Sequence, residues 1–253
     1  MSDSIWTRCA GPSNARRLTG TFRRAVEAQF RNSTRKLVDT DEEQALLEEL
    51  VDAHAKPPVP AGFENLHYLL STPFRHPPLR HGSRFGARAE RGILYGAREL
   101  RAAFAEVAYY RLVFLEGSAA DLGTVQVELT SFAFGIEAQR AIDLSRKPFD
   151  AHQARISSPV SYQHSQLLGR EMRAAGVQAC LYLSARARPR AVNVAVFENV
   201  FRPRRPTDER RWVCASTRAR VELRADRLLG REERYLFERE QFLVDGALPV
   251  PAT

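Results

Sequence analysis

Residues 92–117, GILYGARELRAAFAEVAYYRLVFLEG, contain a short apolar segment followed directly by a longer amphipathic one. The spacing predicts a strand over 92–95 and a helix over 98–115. The predicted buried stripe of that helix consists of Leu100, Ala103, Phe104, Val107, the stem of Arg111, and Phe114. A strand that leads into a helix occurs in both α/β and α+β proteins, so the flanking segments decide the class.

Downstream of this segment, strands are predicted at 124–134, 141–144, 177–184, 192–197 and 212–223. A helix is predicted over 161–174, stopped by Gly176, and a charged helical tail follows the last strand. The strands occur singly or in hairpins, without repeated βαβ units and without a GxGxxG motif after a strand. This pattern disfavours a doubly wound dinucleotide fold and predicts the α+β class.

Upstream, the chain is predicted to carry a helical extension over residues 1–62, with the main domain at 63–253. Phe22, Val26 and Phe30 recur every four residues, which predicts a helix over 21–30. Thr40 and Glu43 form a capping-box pattern that opens a second helix, and the prolines at 57–60 end it. Residues 1–17 show no periodicity and are expected to be loosely ordered.

The composition narrows the class of protein without fixing its function. The 253 residues include 38 basic and 30 acidic side chains, and all of the basic ones except Lys36, Lys56 and Lys147 are arginine. Arginine binds phosphate and carboxylate through two parallel hydrogen bonds, so the excess suits either an anionic small molecule or nucleic acid. We find no membrane-spanning run, no signal peptide and no metal-binding pattern of Cys or His, and we expect a cytoplasmic protein.

Two polar residues are candidates for chemistry because their surroundings are apolar. Glu106 lies mid-helix beside alanines and before Tyr109 and Tyr110; the alternative is a structural ion pair with Arg101, Arg111 or a distant arginine. Ser184 ends a buried strand, where it could equally be a plain strand terminator. It is not a nucleophile elbow, because no GxSxG surrounds it.

Residues 63–92 differ in character from the rest of the chain. Arginines occur at positions 75, 80, 84, 88 and 91, interleaved with glycines and prolines. Glycine permits close approach of the backbone to a ligand, and guanidinium groups supply phosphate donors. The segment is therefore a predicted anion-binding surface.

Six short motifs in a fixed order resemble the RES-domain family, over about residues 65–205. They are Thr72-Pro73-Phe74-Arg75, Gly82-Ser83-Arg84-Phe85-Gly86, Leu94-Tyr95-Gly96, Ala103-Phe104-Ala105-Glu106, Tyr182-Leu183-Ser184-Ala185-Arg186 and Asn193-Val194-Ala195-Val196-Phe197. The resemblance implies an ADP-ribosyltransferase-like fold, with a split, curved β-sheet and flanking helices. It further implies an NAD-degrading phosphorylase or glycohydrolase that is the toxin of a bacterial toxin–antitoxin pair, silenced by an Xre-type helix-turn-helix antitoxin.

The same resemblance implies site residues. Glu106, Arg84 and Ser184 would be catalytic, and Arg75, Arg84, Tyr95 and Ser184 would bind NAD. NAD is then a substrate and inorganic phosphate a co-substrate of phosphorolysis, with no metal and no prosthetic group. One departure is visible, since Gly82-Ser83-Arg84-Phe85 stands where many members have Gly-Gly-Arg-Trp.

Two alternatives remain open at the level of sequence. The first is transfer of ADP-ribose to a protein or another acceptor by the same site. The second is a basic nucleic-acid-binding module. It is disfavoured because the arginine-rich segment contains few aromatics and because the sequence has neither an RRM-like nor a helix-turn-helix motif. Nucleic acid is thus expected only through the antitoxin, and a homodimer is compatible with the sequence.

Overall fold

The computed structural model describes residues 4–28, 40, 42–43, 46, 57–76, 81–226 and 233–250. The predicted α+β class is confirmed, because a large mixed sheet is accompanied by a few helices. The strands are β1 Arg16–Glu27, β2 Leu94–Ala97, β3 Val125–Asp143, β4 Ala179–Leu183, β5 Val192–Val196, β6 Thr207–Ser216, β7 Arg220–Ala225 and β8 Arg234–Glu238. The helices are α1 Ile5–Arg8, α2 Tyr68–Arg75, α3 Leu100–Gly117, α4 Gln153–Ile156 and α5 Gln163–Ala174, with 3₁₀ turns at Gly11–Asn14, Phe149–His152 and Arg239–Phe242.

The described strands form one sheet that closes on itself over part of its width. Their order is β1-β2-β5-β4-β3-β6-β7-β8, and β1 also pairs with β3. Strands β1, β2, β5, β4 and β3 therefore make a ring, from which β6, β7 and β8 extend. The β3–β4 pair is parallel and the other pairs are antiparallel.

Alternation along β4 separates two apolar clusters. Leu181 packs in a cluster with Phe22 and Phe134, whereas Cys180 and Tyr182 pack in another cluster with residues such as Phe85. Successive side chains of a strand point to opposite faces, so the wall of the ring separates these clusters. The side of the wall that carries Tyr182 also carries the candidate site.

The predicted helix over 21–30 is wrong, because residues 16–27 form strand β1. A four-residue spacing is also a multiple of the two-residue period of a strand, so Phe22 and Val26 share a face in either structure. Strand β1 pairs with β2 and with eleven residues of β3, which places it in the same sheet as the region after residue 62. Phe30 lies outside the described residues.

The second predicted helix, over 40–56, falls mostly outside the described residues. Its capping box is present. The Glu43 N–H donates to Thr40 Oγ1 at 3.1 Å, and the Thr40 N–H donates to Glu43 Oε2 at 3.2 Å.

Other corrections concern where elements begin and end. The strands predicted at 124–134 and 141–144 are the single strand β3, and the one at 212–223 is the β6–β7 hairpin. The tail predicted as helical contains β8 and a 3₁₀ turn. Helix α2 was not predicted inside the arginine-rich segment. Residues 4–17, expected to be loosely ordered, contain α1, a 3₁₀ turn and the start of β1, with Trp6 buried near Phe149. Phe114, predicted to lie in the buried stripe of α3, is 58% exposed.

Within the described ranges, no helix has the length and apolar composition that a membrane crossing requires.

Gly169 on α5 lets the helix approach the loop that carries Arg84. A Cβ atom at this position would lie 2.0 Å from the backbone oxygen of Phe85. We expect Gly169→Ala to lower the free energy of unfolding by about 1–3 kcal/mol, because the helix and the loop must separate. Urea unfolding checks this, with Gly117→Ala as the control, since a Cβ there would have no described atom within 4 Å beyond its chain neighbours and its own helix backbone. Equal stability of the two variants would contradict the expected close packing.

Candidate active site

Glu106 projects from the middle of α3 and is held by two neutral donors. Ser184 Oγ donates to Glu106 Oε1 at 2.8 Å, and Asn193 Nδ2 donates to the same oxygen at 3.0 Å. None of the described residues donates to Oε2. We refer to Glu106, Ser184, Asn193 and Tyr182 as the Glu106 cluster.

The alternative of a structural ion pair is not found for Glu106 among the described residues. Arg111 pairs instead with Glu27 at 2.9 Å. The guanidinium carbon of Arg101 lies 5.1 Å from the ring centre of Phe237. Although the chain is rich in arginine, Glu106 therefore forms no salt bridge with the described residues.

Ser184 directly follows β4 and is fully buried. Its Oγ accepts the backbone N–H groups of Arg186 at 3.1 Å and Ala187 at 3.0 Å. A hydroxyl has one donor hydrogen and two acceptor positions, so these two bonds direct the hydroxyl hydrogen of Ser184 to Glu106. Ser184 is therefore placed as a fixed donor to the carboxylate.

Asn193 lies on β5 opposite Tyr182 of β4 and was not among the predicted site residues. It is 2% exposed, and its Nδ2 also lies 3.5 Å from the Tyr182 hydroxyl. Its Oδ1 is buried without a hydrogen-bond partner. A signal was available in the sequence, because Asn193 is the one polar residue in the strand Val192–Val196.

Arg84 is brought next to the Glu106 cluster through Tyr182. It is 7% exposed, and its Nη1 donates to the backbone oxygens of Ile156 at 3.2 Å and Ser158 at 3.0 Å. Its guanidinium carbon lies 5.0 Å from the ring centre of Tyr162 and 6.0 Å from that of Tyr182. No hydrogen bond joins its Nε or Nη2 to another residue in the described ranges, so these donors are available to an anion.

Tyr95 supports the loop that holds Arg84. Its hydroxyl lies 2.9 Å from Ser83 Oγ and accepts the Phe85 N–H at 3.0 Å. Burial raises the pKa of Tyr95 well above its usual range, so the hydroxyl stays protonated. The ring meets that of Tyr182 edge to face at 6.4 Å. NAD binding by Tyr95 stays a prediction.

The other described arginines of the 75–91 segment are placed differently. Arg75 on α2 donates from Nε to the backbone oxygen of Pro57 at 2.7 Å, and no hydrogen bond or ion pair joins it to the Glu106 cluster within the described residues. Arg91 donates to the backbone oxygen of Phe197 at 2.8 Å and pairs with Glu198 at 2.5 Å. Arg88 is exposed, and Arg80 lies outside the described residues. NAD binding by Arg75 stays a prediction.

Two further arginines near the site were not predicted. The guanidinium carbon of Arg186 lies 3.5 Å from the ring centre of Tyr109, and its Nη2 donates to the Pro159 oxygen at 2.9 Å. Burial raises the pKa of Tyr109 to about 12, against the opposing effect of Arg186. Arg24 of β1 donates to the backbone oxygen of Tyr95 at 2.7 Å, and burial lowers the pKa of Arg24 to about 10. Arg24 was overlooked because its segment was predicted to be a helix.

This arrangement combines one unneutralised carboxylate with buried arginines a short distance away. A carboxylate held by fixed donors can stabilise positive charge that develops beside its free oxygen. Guanidinium groups with unused donors can bind phosphate oxygens. The set therefore suits a substrate that becomes cationic at one atom and carries phosphate elsewhere.

Two cavities elsewhere on the described surface do not include the Glu106 cluster. One, of about 180 Å³, lies between α1 and α5 and is lined by residues that include Arg155, His164 and Glu171. The other, of about 360 Å³, lies at the start of β1 and the end of β3. In the described part of the chain, no group of three His, Cys, Asp or Glu side chains is placed to hold a metal ion.

Comparisons with known proteins identify a family and similar solved structures. A family model described as the RES domain matches residues 58–214, which include Arg84, Glu106, Ser184 and Asn193 but not β1. No curated protein matches the sequence. A chain of the crystal structure of the M. tuberculosis MbcT–MbcA toxin–antitoxin complex is similar, with 12% identity and a TM-score of 0.46; the match covers 77% of this chain and 82% of that one.

Proposed function

The chain belongs to the RES domain family, as its motifs predicted, and on that premise we propose that it degrades NAD as the toxin of a bacterial toxin–antitoxin pair. The observation that carries this proposal is the environment of Glu106. Its carboxylate is fixed through Oε1 by Ser184 and Asn193, while Oε2 accepts no hydrogen bond from the described residues. Cleavage of the glycosidic bond to a cationic nicotinamide needs a carboxylate of this kind, held in place and with one oxygen free.

Cleavage of NAD breaks the bond between nicotinamide and its ribose. As the bond lengthens, its electron pair leaves with nicotinamide and positive charge develops on the ribose as an oxocarbenium ion. An adjacent carboxylate stabilises that ion, as in glycoside hydrolysis. Water then gives ADP-ribose and a proton, whereas inorganic phosphate gives ADP-ribose phosphorylated at the same carbon. Glu106 supplies the charge, and Ser184 holds the carboxylate.

The rest of the substrate has partners of suitable chemistry. The free Nε and Nη2 donors of Arg84 suit the pyrophosphate of NAD or an incoming phosphate. Arg75 and Tyr95 are proposed to complete the NAD-binding set through the family resemblance. The ADP-ribosyltransferase-like sheet is proposed on the same basis, and the additional pairing of β1 with β3, which closes part of the sheet, supports the curvature expected of it.

An Xre-type antitoxin is the proposed partner. An enzyme that consumes a shared cofactor harms its host unless a partner holds it inactive. The net charge of +8 favours association with an acidic segment, chiefly through the association rate. Contact with nucleic acid is proposed only through that antitoxin.

The products of NAD separate the three reaction classes. The purified chain is incubated with NAD in phosphate-free buffer, with inorganic phosphate, and with a bacterial protein extract, and the products are followed by ³¹P NMR and mass spectrometry. Free ADP-ribose supports hydrolysis, and a phosphorylated ADP-ribose that forms only with phosphate supports phosphorolysis. If ADP-ribosylated protein forms in place of both small products, the chain is a transferase and the proposal is wrong.

Arg84→Lys is expected to raise the KM for NAD by roughly tenfold or more, with a smaller effect on kcat. Lysine keeps the charge but loses the planar fork that matches phosphate and the packing on Tyr162. Steady-state kinetics check this, with Arg88→Lys on the exposed part of the same segment as the control. An unchanged KM would assign Arg84 to loop structure through its bonds to the backbone oxygens of Ile156 and Ser158.

A further inference from the structure

We propose that Asn193 is a positioning residue for the reaction at Glu106, which rests on the proposed function. Its side-chain amide, together with Ser184, fixes the plane of the Glu106 carboxylate so that Oε2 faces the bond that breaks. Asn193 acts through Glu106 and needs no contact with substrate.

One hydrogen bond is not enough to orient a glutamate. The terminal torsion of its side chain has a broad preference, so a carboxylate with a single donor can still rotate about that bond. Ser184 follows β4 and Asn193 lies on β5, and both donate to Oε1, at 2.8 and 3.0 Å. Two donors anchored on separate strands restrict the rotation and leave the other oxygen exposed to a ligand.

The unpartnered Oδ1 of Asn193 shows that its position is not chosen for stability alone. A buried acceptor without a partner costs free energy, and a valine such as the flanking Val192 or Val194 would avoid that cost. Turning the amide over would bring Oδ1 against Glu106 Oε1, where two acceptors repel. Donation from Nδ2 to Glu106 is therefore what this side chain contributes.

The donors are also neutral, which matters for the charge of the site. An arginine or lysine in place of Asn193 would hold the carboxylate but offset its negative charge. The tyrosines that interact with Glu106, namely Tyr109, Tyr110 and Tyr182, have raised pKa values and stay neutral. Arg84 and Arg186 both interact with Tyr109. Neither arginine forms an ion pair with Glu106 in the described part of the chain.

The first test separates positioning from binding. We expect Asn193→Leu to lower kcat for nicotinamide release by roughly 10- to 100-fold with little change in KM, because a slightly misplaced carboxylate costs rate rather than affinity. The matched control is Asn199→Leu. The Asn199 amide donates to the backbone oxygen of Gly62, and its Oδ1 is also buried without a partner. Asn199→Leu therefore removes a comparable amide and its hydrogen bond, and it leaves the hydrogen bonds of Glu106 in place.

The second test uses Asn193→Asp and its pH profile. Two carboxyls in hydrogen-bond contact share one proton, since both cannot easily ionise together. With that proton the new carboxyl donates to Oε1 and the pair carries one negative charge, as in the parent protein. We expect partial activity at low pH that falls as the shared proton is lost, over a range in which the parent shows no such fall. A merely structural role would not shift this profile.

A third readout does not depend on turnover. The side-chain ¹⁵N–¹H resonances of Asn193 are expected to move in Glu106→Gln and to stay in place in Glu99→Gln. If the parent chain releases no nicotinamide, the proposed function fails, while this spectrum still tests the hydrogen bond. If the parent is active, the inference is overturned by a folded Asn193→Leu protein with full kcat, or by an Asn193→Asp protein with the parent pH profile.

Discussion

Replacing Glu106 by glutamine is expected to slow nicotinamide release from NAD by roughly 100- to 1000-fold in a correctly folded protein. Glutamine keeps the volume of the side chain and can still accept hydrogen bonds from Ser184 and Asn193 through its carbonyl oxygen. It cannot supply the negative charge that stabilises the oxocarbenium ion. The loss should therefore appear mainly in kcat.

The control for this prediction lies at the start of the same helix. Glu99 is exposed and makes no side-chain capping bond, so Glu99→Gln removes the same charge away from the site. Its kcat should stay within about twofold of the parent value. Equal rates for Glu106→Gln and Glu99→Gln would remove Glu106 from the mechanism.

Expression of the parent chain alone in a bacterium is expected to arrest growth and to deplete cellular NAD. The reason is that an uninhibited NAD-degrading site acts on a pool that every pathway shares. Glu106→Gln, expressed to the same soluble level, should leave both growth and NAD content near those of an empty-vector culture. NAD per cell and culture density over time provide the measurement.

Two results would contradict the toxin proposal in that experiment. Undiminished NAD in both cultures, with soluble protein present, would indicate a non-catalytic RES domain. Arrest by both proteins to the same degree would place the harm outside the Glu106 site.

Local sequence context was enough to single out Glu106 as a candidate, whereas it could not reveal contacts between residues on distant strands. Glu106 was singled out because a carboxylate among alanines and tyrosines on an apolar helix is unusual, and the structure leaves it without an ion pair in the described ranges. Asn193 approaches Glu106 through the fold: β5 pairs with β4, and the Asn193 side chain on β5 donates to Glu106 of α3. Which strands pair depends on the whole sheet, and no short pattern in the sequence marks β4 and β5 as neighbours.

The error at β1 has a similar physical cause. A four-residue spacing of Phe22 and Val26 fits one face of a helix or one face of a strand, and eleven pairings with β3 decide for the strand. The same error concealed Arg24, which reaches Tyr95 only from a strand. Of the arginines in the segment predicted to bind an anion, Arg84 lies beside Tyr182 of the Glu106 cluster, whereas Arg75 donates to the backbone oxygen of Pro57 and Arg91 pairs with Glu198.

Release of free nicotinamide by the purified parent chain is the most direct test of the account. The folded protein is incubated with excess NAD, with and without inorganic phosphate, and nicotinamide is quantified against protein, with Glu106→Gln in parallel. If the chain degrades NAD through Glu106, each parent chain releases many nicotinamide molecules, and the variant releases at least about 100-fold fewer per unit time. Intact NAD after prolonged incubation of the folded parent under both conditions would contradict it.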